Sequence, residues 1–511
     1  MFPGMDKHEA LPAHVNTFVV GAGFGGLGLA IRLAQRGDRD FLVIDRGQDV
    51  GGTWRDNTYP GAACDVPSQL YSFSFAPNPT WSRSFSPQPE IQAYLRRVAA
   101  DAGVLDRFRL GATFDEATWD GDANLWRINT SLGSLTADVL VTASGGLSEP
   151  RMPDIDGLDS FHGETFHSAR WNHEYDLTGK RVAIIGTGAS AIQIVPEIAG
   201  KVAHLDVYQR TAPWVVPRRD REYTGVEKLG FKYLPALQKV YRTGIYWGRE
   251  LLVPGFTVNT RLAAPARRMA LANIAKSVTD PAMREALTPT FEIGCKRILI
   301  SNDWYPALTR DNVELVTDGI VKITPNGIVT HDGIEREVDV LIVATGFHTT
   351  EQPISEHITG RAGATMAEHW ARDGMAAYKG TTVHGFPNLF QIVGPNTGLG
   401  HSSMVFIIES QIAYILDALD TMRTSNLTAL EPKQPVQQRW NEDLQRRLRR
   451  TVWNTGGCQS WYLDAHGRNT TLWPRSTFTF RRLLSRFDVD QYLSTTRTPS
   501  VVPTPKVGQS A

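Results

Sequence analysis

The stretch Thr17-Phe-Val-Val-Gly-Ala-Gly-Phe-Gly-Gly26 decides the fold, because it joins a buried strand to a glycine-rich turn and leads into a helical pattern. In such a turn Gly21 permits the tight bend, Gly23 lets the backbone approach a pyrophosphate, and Gly26 lets the helix pack on the strand. Asp45 ends the next buried strand, 19 residues beyond Gly26. A carboxylate at this offset accepts hydrogen bonds from ribose hydroxyls. The stretch therefore predicts a Rossmann-like module that binds a dinucleotide.

The same pattern recurs later in the chain, with Gly186, Gly188 and Ala191 at the positions of the three glycines. At the offset of the first acid, the second copy has Arg210 followed by Thr211. An acid would repel a ribose phosphate, whereas a guanidinium binds one bidentately. We therefore predict FAD at the first site and NADPH at the second. The alternative is that Arg210 is only a solvent-exposed loop residue without a ligand.

A second repeat defines the domain organisation. The segments 138–145 and 339–346 are each a buried strand that leads into a turn of small residues, so each module closes with a returning strand. The predicted fold class is α/β, with two Rossmann-like dinucleotide-binding domains and a helical insert in the NADPH domain that either caps a substrate channel or acts as structural cover. The predicted segments are the first part of the FAD domain (12–150), the first part of the NADPH domain (151–219), the insert (220–290), the second part of the NADPH domain (291–380), the second part of the FAD domain (381–496) and a disordered tail (497–511).

Composition excludes several classes of function. With 511 residues the chain has room for two or three domains, and 41% hydrophobic with 21% charged residues is typical of a globular protein. The 53 basic and 53 acidic residues cancel, which gives no electrostatic reason to bind nucleic acid or acidic membranes. A small-molecule ligand is the better prediction, and zero net charge permits a monomer or a homodimer.

Cysteine usage and hydropathy bear on location. Cys64, Cys295 and Cys458 are 231 and 163 residues apart, too few for a disulfide scaffold and without the spacing of a metal or redox site. The first fifteen residues lack the apolar core of a secretory signal, and we find no uncharged run of bilayer length. We therefore expect a soluble cytoplasmic protein with no metal site and no stable membrane insertion.

Two dinucleotide modules in one chain allow disulfide reduction, electron transfer or oxygen activation. Disulfide reduction normally requires a close cysteine pair, and the sequence has none. Oxygen activation requires a dry pocket, a retained nicotinamide cofactor and a positive group beside the flavin. The candidate residues for it should be cationic and buried.

The segment just ahead of the second glycine turn, Phe161-His-Gly-Glu-Thr-Phe-His-Ser-Ala-Arg-Trp171, resembles the fingerprint of the Baeyer–Villiger monooxygenases. That fingerprint reads Phe-x-Gly-x-x-x-His-x-x-x-Trp followed by Pro or Asp. Phe161, Gly163, His167 and Trp171 match it, whereas Asn172 stands at the closing position.

A second signature of the same family is met by residues 51–65, and the resemblance runs from about residue 15 to 490. The matching residues are Gly52, Trp54, Tyr59, Pro60, Gly61 and Asp65. By this resemblance Gly52, Thr53, Trp54 and Asp65 bind the flavin. The flavin-containing and N-hydroxylating monooxygenases share the two glycine turns but not this pair of signatures.

The family also carries a Lys-Arg pair whose arginine lies against the flavin and the nicotinamide. Lys296 and Arg297, followed by 303–305 and 310–313, look like that stretch. The resemblance implies that Arg297 stabilises the peroxide formed on the flavin and then the tetrahedral adduct with the ketone. It also implies that Asp65 orients Arg297 and that Lys296 helps bind the ribose phosphate. A guanidinium suits the role because it keeps its proton at any working pH. A structural ion pair is the alternative, but the pair interrupts an apolar stretch, where an unpaired charge is costly.

Three further residues have competing interpretations. His167 is better explained as a hinge or linker residue that keeps the two domains in register than as a proton donor. Trp54 either packs in the core or lies beside the flavin. Trp473 either lines the substrate pocket or is a packed aromatic residue near a turn.

The resemblance implies an FAD- and NADPH-dependent monooxygenase that inserts one atom of O2 next to a ketone carbonyl, through a flavin peroxide, to give an ester or lactone. Two alternatives stay open. One is a sulfur or nitrogen oxygenase that uses the same intermediate on a sulfide or amine. The other is a flavin-binding redox sensor or scaffold. The sequence identifies no particular ketone.

Overall fold

The computed structural model describes residues 10–496, and the predicted tail from 497 lies outside them. The first module begins with the strand, glycine turn and helix of the opening motif. Its strands are β1 (His14–Val20), β2 (Phe41–Asp45), β3 (Phe108–Leu110), β4 (Phe114–Asp120), β5 (Leu125–Thr130) and β6 (Gly133–Thr142). Its helices are α1 (Phe24–Gln35), α2 (Thr53–Asp56) and α3 (Gln88–Asp101).

The second module repeats this plan. Its first part contains β7 (Glu164–His167), β8 (Arg181–Ile185), α4 (Ala191–Ile198) and β9 (His204–Tyr208). A helical stretch then follows the short strand β10 (Val215–Val216). The helices of that stretch are α5 (Gly225–Tyr233), α6 (Pro235–Glu250), α7 (Val253–Thr257), α8 (Ala264–Ser277) and α9 (Pro281–Ala286). The module resumes with β11 (Leu299–Ile300), α10 (Trp304–Leu308), β12 (Val313–Val316), β13 (Ile320–Thr324), β14 (Gly327–Thr330), β15 (Glu335–Glu337) and β16 (Val340–Val343).

The C-terminal part of the chain returns to the first module. Its elements are β17 (Ile358–Thr359), α11 (Met366–Asp373), β18 (Leu389–Gln391), α12 (Met404–Thr424), β19 (Leu427–Pro432), α13 (Gln434–Leu448), α14 (Val452–Thr455), α15 (Thr477–Leu483) and β20 (Tyr492–Thr496). Strand β18 pairs with β6, β17 pairs with β4, and α12 packs against α1. Because β17 already belongs to the first sheet, we propose a module boundary near residue 358 in place of 381.

The two sheets place both glycine turns at the carboxyl ends of parallel strands. The first sheet has the order β17-β4-β5-β6-β1-β2-β3, with β1 parallel to both β2 and β6. The second is a five-stranded parallel sheet of order β12-β9-β8-β16-β7. In sheets of this kind ligands bind beyond the carboxyl ends of the strands, so this topology positions both dinucleotide sites.

The helical insert packs on more than its own module. Its side chains Phe231, Tyr246 and Phe256 join the same buried cluster as Phe24 of α1, whereas Ile274 joins the core of the second module. The insert therefore bridges the two modules. Among the described residues no helix is long and apolar enough to cross a membrane.

Candidate active site

The first glycine turn leaves room for a phosphate. Gly21 has a φ of +108°, and a Cβ on Gly26 would lie 1.9 Å from the carbonyl oxygen of Gly21, so neither position accepts a side chain. Helix α1 begins after Gly23 without a side-chain cap and without an acid in its first turn. Its first-turn N–H groups are therefore suited to an anion, and these residues fit the pyrophosphate of a dinucleotide.

Asp45 is held in a defined position at the end of β2. Its Oδ2 accepts from the backbone N of Ala22 at 2.8 Å, and its Oδ1 accepts from the backbone N of Gly47 and from Nη1 of Arg55, both at 2.7 Å. A carboxylate has about four acceptor sites, so three are in use and one remains for a ribose hydroxyl. The contribution of Arg55 was not predicted from the sequence.

The loop that carries the second signature lies against the first glycine turn. The backbone N of Gly51 donates to Ala22 O at 2.9 Å, and Gly52, with a φ of +54°, approaches Gly23 so closely that a Cβ on it would lie 2.9 Å from the Gly23 Cα. Thr53, which starts α2, is exposed, and Trp54 is half-buried and donates from Nε1 to the hydroxyl of Tyr71 at 3.0 Å. The loop is thus placed beside the dinucleotide site.

The second glycine turn has the same geometry. Gly186 has a φ of +114°, and a Cβ on it would lie 2.6 Å from the carbonyl oxygen of Ala344, whereas the space next to Gly188 is open. Helix α4 begins at Ala191 without a side-chain cap. Thr187 donates to the carbonyl of Thr211 at 3.2 Å, which ties the turn to the end of β9. These residues also fit a pyrophosphate.

Two cations lie near each other beyond β9. Burial, followed by the charge of Arg210, lowers the pKa of Lys296, so the two side chains are within electrostatic range. Arg210 is exposed, and the Lys296 ammonium lies 5.2 Å from the ring centre of Phe291. A phosphate between the two cations would relieve their repulsion and the desolvation of Lys296.

Arg297 and Asp65 form a bidentate ion pair that joins the two modules. Arg297 donates from Nε to Oδ2 at 2.6 Å and from Nη2 to Oδ1 at 2.7 Å. Burial would raise the pKa of Asp65, but the charge and hydrogen bonds of Arg297 outweigh it and hold that pKa below its usual range. The charge of Asp65 in turn raises the pKa of Arg297. Both groups therefore stay ionised through the working pH range.

More positive charge surrounds this pair. Arg249, from α6, donates to the backbone carbonyl of Asp65 at 3.3 Å, and burial lowers its pKa. Arg218 lies over the ring of Phe85, and burial lowers its pKa as well. Neither cation was predicted from the sequence to be a site residue. A signal was present for Arg249, which interrupts the apolar stretch around residues 245–258.

The fingerprint segment lies at the edge of the second sheet. A Cβ on Gly163 would lie 2.4 Å from the carbonyl of Asp339 and 2.6 Å from the ring of Phe161, so only glycine fits there. Trp171 packs edge-on against Phe166, with their ring centres 5.0 Å apart. The segment is therefore a packed connection into the second module.

His167 and Asn172 have local roles in that connection. His167 is buried, accepts from the backbone N of Ala169 through Nδ1 at 3.1 Å, and lies edge-on to Phe347. Burial lowers its pKa to about 4, so it is neutral at pH 7. Asn172 donates to Glu164 Oε1 at 2.7 Å. Asn172, which departs from the family pattern, thus forms a hydrogen bond to the fingerprint segment that it follows.

The signature loop also contacts helix α4 of the second module. The hydroxyl of Tyr59 donates to Gln193 Oε1 at 3.0 Å, and Gln193 Nε2 donates to the carbonyl of Ala63 at 3.0 Å. A Cβ on Gly61 would lie 2.7 Å from the backbone oxygen of Gln193. Tyr59 and Gly61 match the family signature, but their contact with α4 was not predicted from the sequence.

The structure corrects the expectation for two of the cysteines and decides between the two interpretations of Trp473. Cys295 and Cys458 form a disulfide with an S–S distance of 2.00 Å, although their separation of 163 residues had suggested no pairing. This bond joins the stretch that carries Arg297 to the C-terminal region. Trp473 is 2% exposed, donates to the carbonyl of Ser476 at 3.0 Å and stacks with another tryptophan, which favours packing over a pocket role.

Together the fold and the site define an oxidoreductase with two dinucleotide-binding modules and an arginine–carboxylate pair that links them. Residues 18–227 match the family described as pyridine nucleotide-disulphide oxidoreductase. A Baeyer–Villiger monooxygenase of Streptomyces coelicolor is 51% identical over 490 residues, which cover 96% of this chain and 94% of the relative.

Solved structures agree with this sequence match. Cyclohexanone monooxygenase from Rhodococcus sp. Phi1 bound to NADP+ is 29% identical, has a TM-score of 0.84 and matches over 95% of this chain and all of that one. The complex of OTEMO with FAD and NADP is 28% identical, has a TM-score of 0.84 and matches over 94% of this chain and 99% of that one. The chain belongs to the Baeyer–Villiger monooxygenases.

Proposed function

We propose that this protein uses FAD, NADPH and O2 to insert one oxygen atom next to the carbonyl of a small-molecule ketone, giving an ester or lactone. The observation that carries the proposal is the bidentate pair of Arg297 and Asp65, in which a permanently charged guanidinium is held against the signature loop of the first module.

We assign the first glycine turn to FAD. The uncapped end of α1, behind Gly21, Gly23 and Gly26, would hold the pyrophosphate, and Asp45 would accept from a ribose hydroxyl. Gly52, Thr53, Trp54 and Asp65 would line the flavin end, because their loop packs on the same turn. When bound, FAD reduced by NADPH supplies the electrons that activate oxygen.

We assign the second turn to NADPH, with Gly186, Gly188 and Ala191 at its pyrophosphate. Arg210, Thr211 and Lys296 would bind the ribose phosphate, and Arg210 with Lys296 would make the site prefer NADPH over NADH.

The preference for NADPH can be tested by substitution. Arg210→Ala should raise the KM for NADPH by one to two orders of magnitude, from the loss of about 1.5–3 kcal/mol of charge-assisted hydrogen bonding, and leave that for NADH nearly unchanged. Arg219→Ala, in the next loop, is the control. Equal effects on the two cofactors would mean that Arg210 does not bind the phosphate.

The chemical role of Arg297 and Asp65 is to hold a positive charge in a fixed position. Asp65 fixes the guanidinium plane of Arg297 through two hydrogen bonds, and Arg297 still has donors free to face an oxygen that gains negative charge as the ketone is attacked. Arg249 adds a second cation, which donates to the backbone carbonyl of Asp65. Fixed donors of this kind require no reorganisation during the reaction.

We propose that the fingerprint residues Phe161, Gly163, His167 and Trp171 act as a hinge between the modules. Three of them are held by packing, and burial keeps His167 neutral at pH 7. A neutral, packed histidine suits a positioning role better than proton transfer.

We further propose a cytoplasmic location, since NADPH is regenerated inside cells, and a monomer or homodimer as the working form. The Cys295–Cys458 disulfide is unusual for that compartment. Thiol titration of protein isolated under anaerobic conditions would establish whether the bond forms in the cell.

The deciding experiment mixes the NADPH-reduced holoenzyme with O2 in a stopped-flow instrument and analyses the products from phenyl ketones, cyclic ketones and a sulfide. Ester or lactone, formed in proportion to NADPH consumed, is the expected result. Sulfoxide with no ester would identify a sulfur oxygenase. Hydrogen peroxide as the sole product would exclude monooxygenase activity on these compounds.

A further inference from the structure

Helix α6 (Pro235–Glu250) has one apolar face that is exposed to solvent. Leu237 is 47% exposed, Val240 is 69% exposed and Trp247 is 51% exposed, and Leu251, just beyond the helix, is 79% exposed. Their spacing of 3, 7 and 4 residues puts them on one helical face. A surface helix normally turns its polar face outward, so an exposed apolar face is unusual, and this helix has it in addition to the buried Tyr246.

Hydrogen bonds hold three polar residues of α6, Gln238, Arg242 and Glu250, against the interior. Gln238 donates to the side chain of Gln69, and Arg242 donates to the backbone carbonyl of the same residue. Glu250 accepts from the hydroxyl of Thr477 at 2.6 Å. Because each of these contacts depends on the present rotation of the helix, the outward apolar face is a fixed part of the fold.

The exposed face continues onto neighbouring elements. Helix α5 packs against α6, with the position of Gly230 close to Leu237, and it exposes Val226 at 80% and Tyr233 at 70%. Past α7, Val258 is 80% exposed. We call this surface the insert patch and define it by Val226, Tyr233, Val240, Trp247, Leu251 and Val258. Exposed apolar patches of this kind ordinarily mark a binding surface.

The chain around the insert patch is strongly basic. Residues 226–279 contain nine lysines and arginines and two acids, Glu227, which pairs with Arg221, and Glu250, which is buried. Six of these bases are exposed, whereas Arg242 and Arg249 donate to interior backbone carbonyls. Exposed bases stand directly beside exposed apolar residues, as Lys232 does beside Tyr233, and as Lys239 and Arg261 do beside Val240 and Leu262. The net charge of zero for the whole chain conceals this local excess.

We infer that the insert patch binds the surface of an anionic phospholipid bilayer. The apolar side chains enter the boundary between headgroups and acyl chains, and Lys232, Lys239 and Arg261 contact the lipid phosphates. This combination of an apolar face with flanking bases is the pattern of helices that lie in a membrane interface. Such peripheral binding needs no spanning helix.

A second copy of the chain suits the patch less well. In a twofold contact the same basic surface would face itself, and like charges brought together in this way oppose association. An anionic bilayer instead offers complementary charge together with an apolar layer at the depth of the exposed side chains.

The test is cosedimentation of the holoenzyme with vesicles of phosphatidylcholine alone or with 30% phosphatidylglycerol. Binding to the anionic vesicles alone, weakened by salt, is expected. The triple variant Lys232→Gln/Lys239→Gln/Arg261→Gln should lower the partition coefficient about a hundredfold, at roughly fivefold for each base removed. The matched control Lys180→Gln/Lys201→Gln/Lys322→Gln, with the same change in net charge, should bind as the wild type does.

A second variant tests the apolar contribution. Val240→Ser/Trp247→Ser/Leu251→Ser changes only exposed side chains, and it should lower the partition coefficient at least tenfold while the FAD content stays the same. Unchanged binding by this variant would mean that the surface is only an electrostatic contact and would overturn the proposal. The proposal would also be overturned if the wild type did not bind vesicles but formed a dimer, measured by mass photometry, that dissociates in this variant.

Discussion

Replacing Arg297 by lysine and by alanine separates the charge of this residue from its geometry. Lysine keeps the unit charge, but its ammonium cannot reproduce the fork that donates to both oxygens of Asp65 at 2.6 and 2.7 Å. Hydrogen bonds to charged groups contribute about 1.5–3 kcal/mol. Because Arg297 and Asp65 are 32% and 27% exposed, solvent screening favours the lower value.

The loss of one such bond should lower the rate of ester formation in Arg297→Lys roughly tenfold, because about 1.4 kcal/mol corresponds to a factor of ten in rate. Alanine removes the cation itself, and the loss of a donor to a developing oxyanion lowers kcat by about 10²–10³-fold. The Arg297→Lys variant should also lose activity at alkaline pH. An ammonium has an ordinary pKa of about 10.4 and can lose its proton there, whereas the guanidinium of Arg297 beside Asp65 cannot.

The assay measures ester formed per NADPH consumed, alongside anaerobic flavin reduction by NADPH in the same variants. We expect reduction to continue in Arg297→Ala while ester is replaced by hydrogen peroxide. Ester produced at the wild-type rate would refute the role of this residue. A fall in flavin reduction equal to the fall in ester would instead assign Arg297 to NADPH binding.

Three further results are expected. Burial lowers the pKa of His167 from 6.5 to about 4, so the unfolded chain binds the proton more readily than the folded protein does. The contribution of neutral His167 to stability is therefore full above pH 6.5 and falls by up to about 3 kcal/mol as the pH drops to 4. Thermal unfolding of His167→Gln should depend less on pH over this range. Reductant should lower the Tm of the wild type, since Cys295–Cys458 closes a loop of 163 residues with an entropic contribution of at most about 5 kcal/mol, and should have no effect on Cys295→Ser/Cys458→Ser. Gly26→Ala, whose Cβ would lie 1.9 Å from a carbonyl oxygen of the turn, should purify with less than a tenth of the normal FAD, whereas Gly146→Ala, where the space is open, should keep it; normal FAD content in Gly26→Ala would contradict the assigned site.

The parts of the fold that were predictable from sequence are those that depend on neighbouring residues. A glycine turn between a strand and a helix is a local pattern, and the offset from Gly26 to Asp45 follows from the length of one helix and one strand. The contact between Asp65 and Arg297 spans 232 residues and was expected only through the family resemblance.

Contacts set by packing between distant elements were not predictable. Nothing near Cys295 or Cys458 indicates that the chain brings them together, because their separation reveals no geometry. Arg249 reaches Asp65 only because helix α6 turns several of its polar side chains inward, against the usual pattern. Trp473 could not be assigned to pocket or core before its neighbours were known.

The hydrogen bonds of Gln193 to Tyr59 and Ala63 bear on protein engineering. An exchange of the nicotinamide module between relatives would ordinarily be cut at the connections between the modules. Here that cut would separate Gln193 from the loop it fixes, and that loop carries Asp65. A chimera would therefore need to take residues 51–65 together with helix α4 from the same parent, so the unit of recombination is discontinuous in sequence.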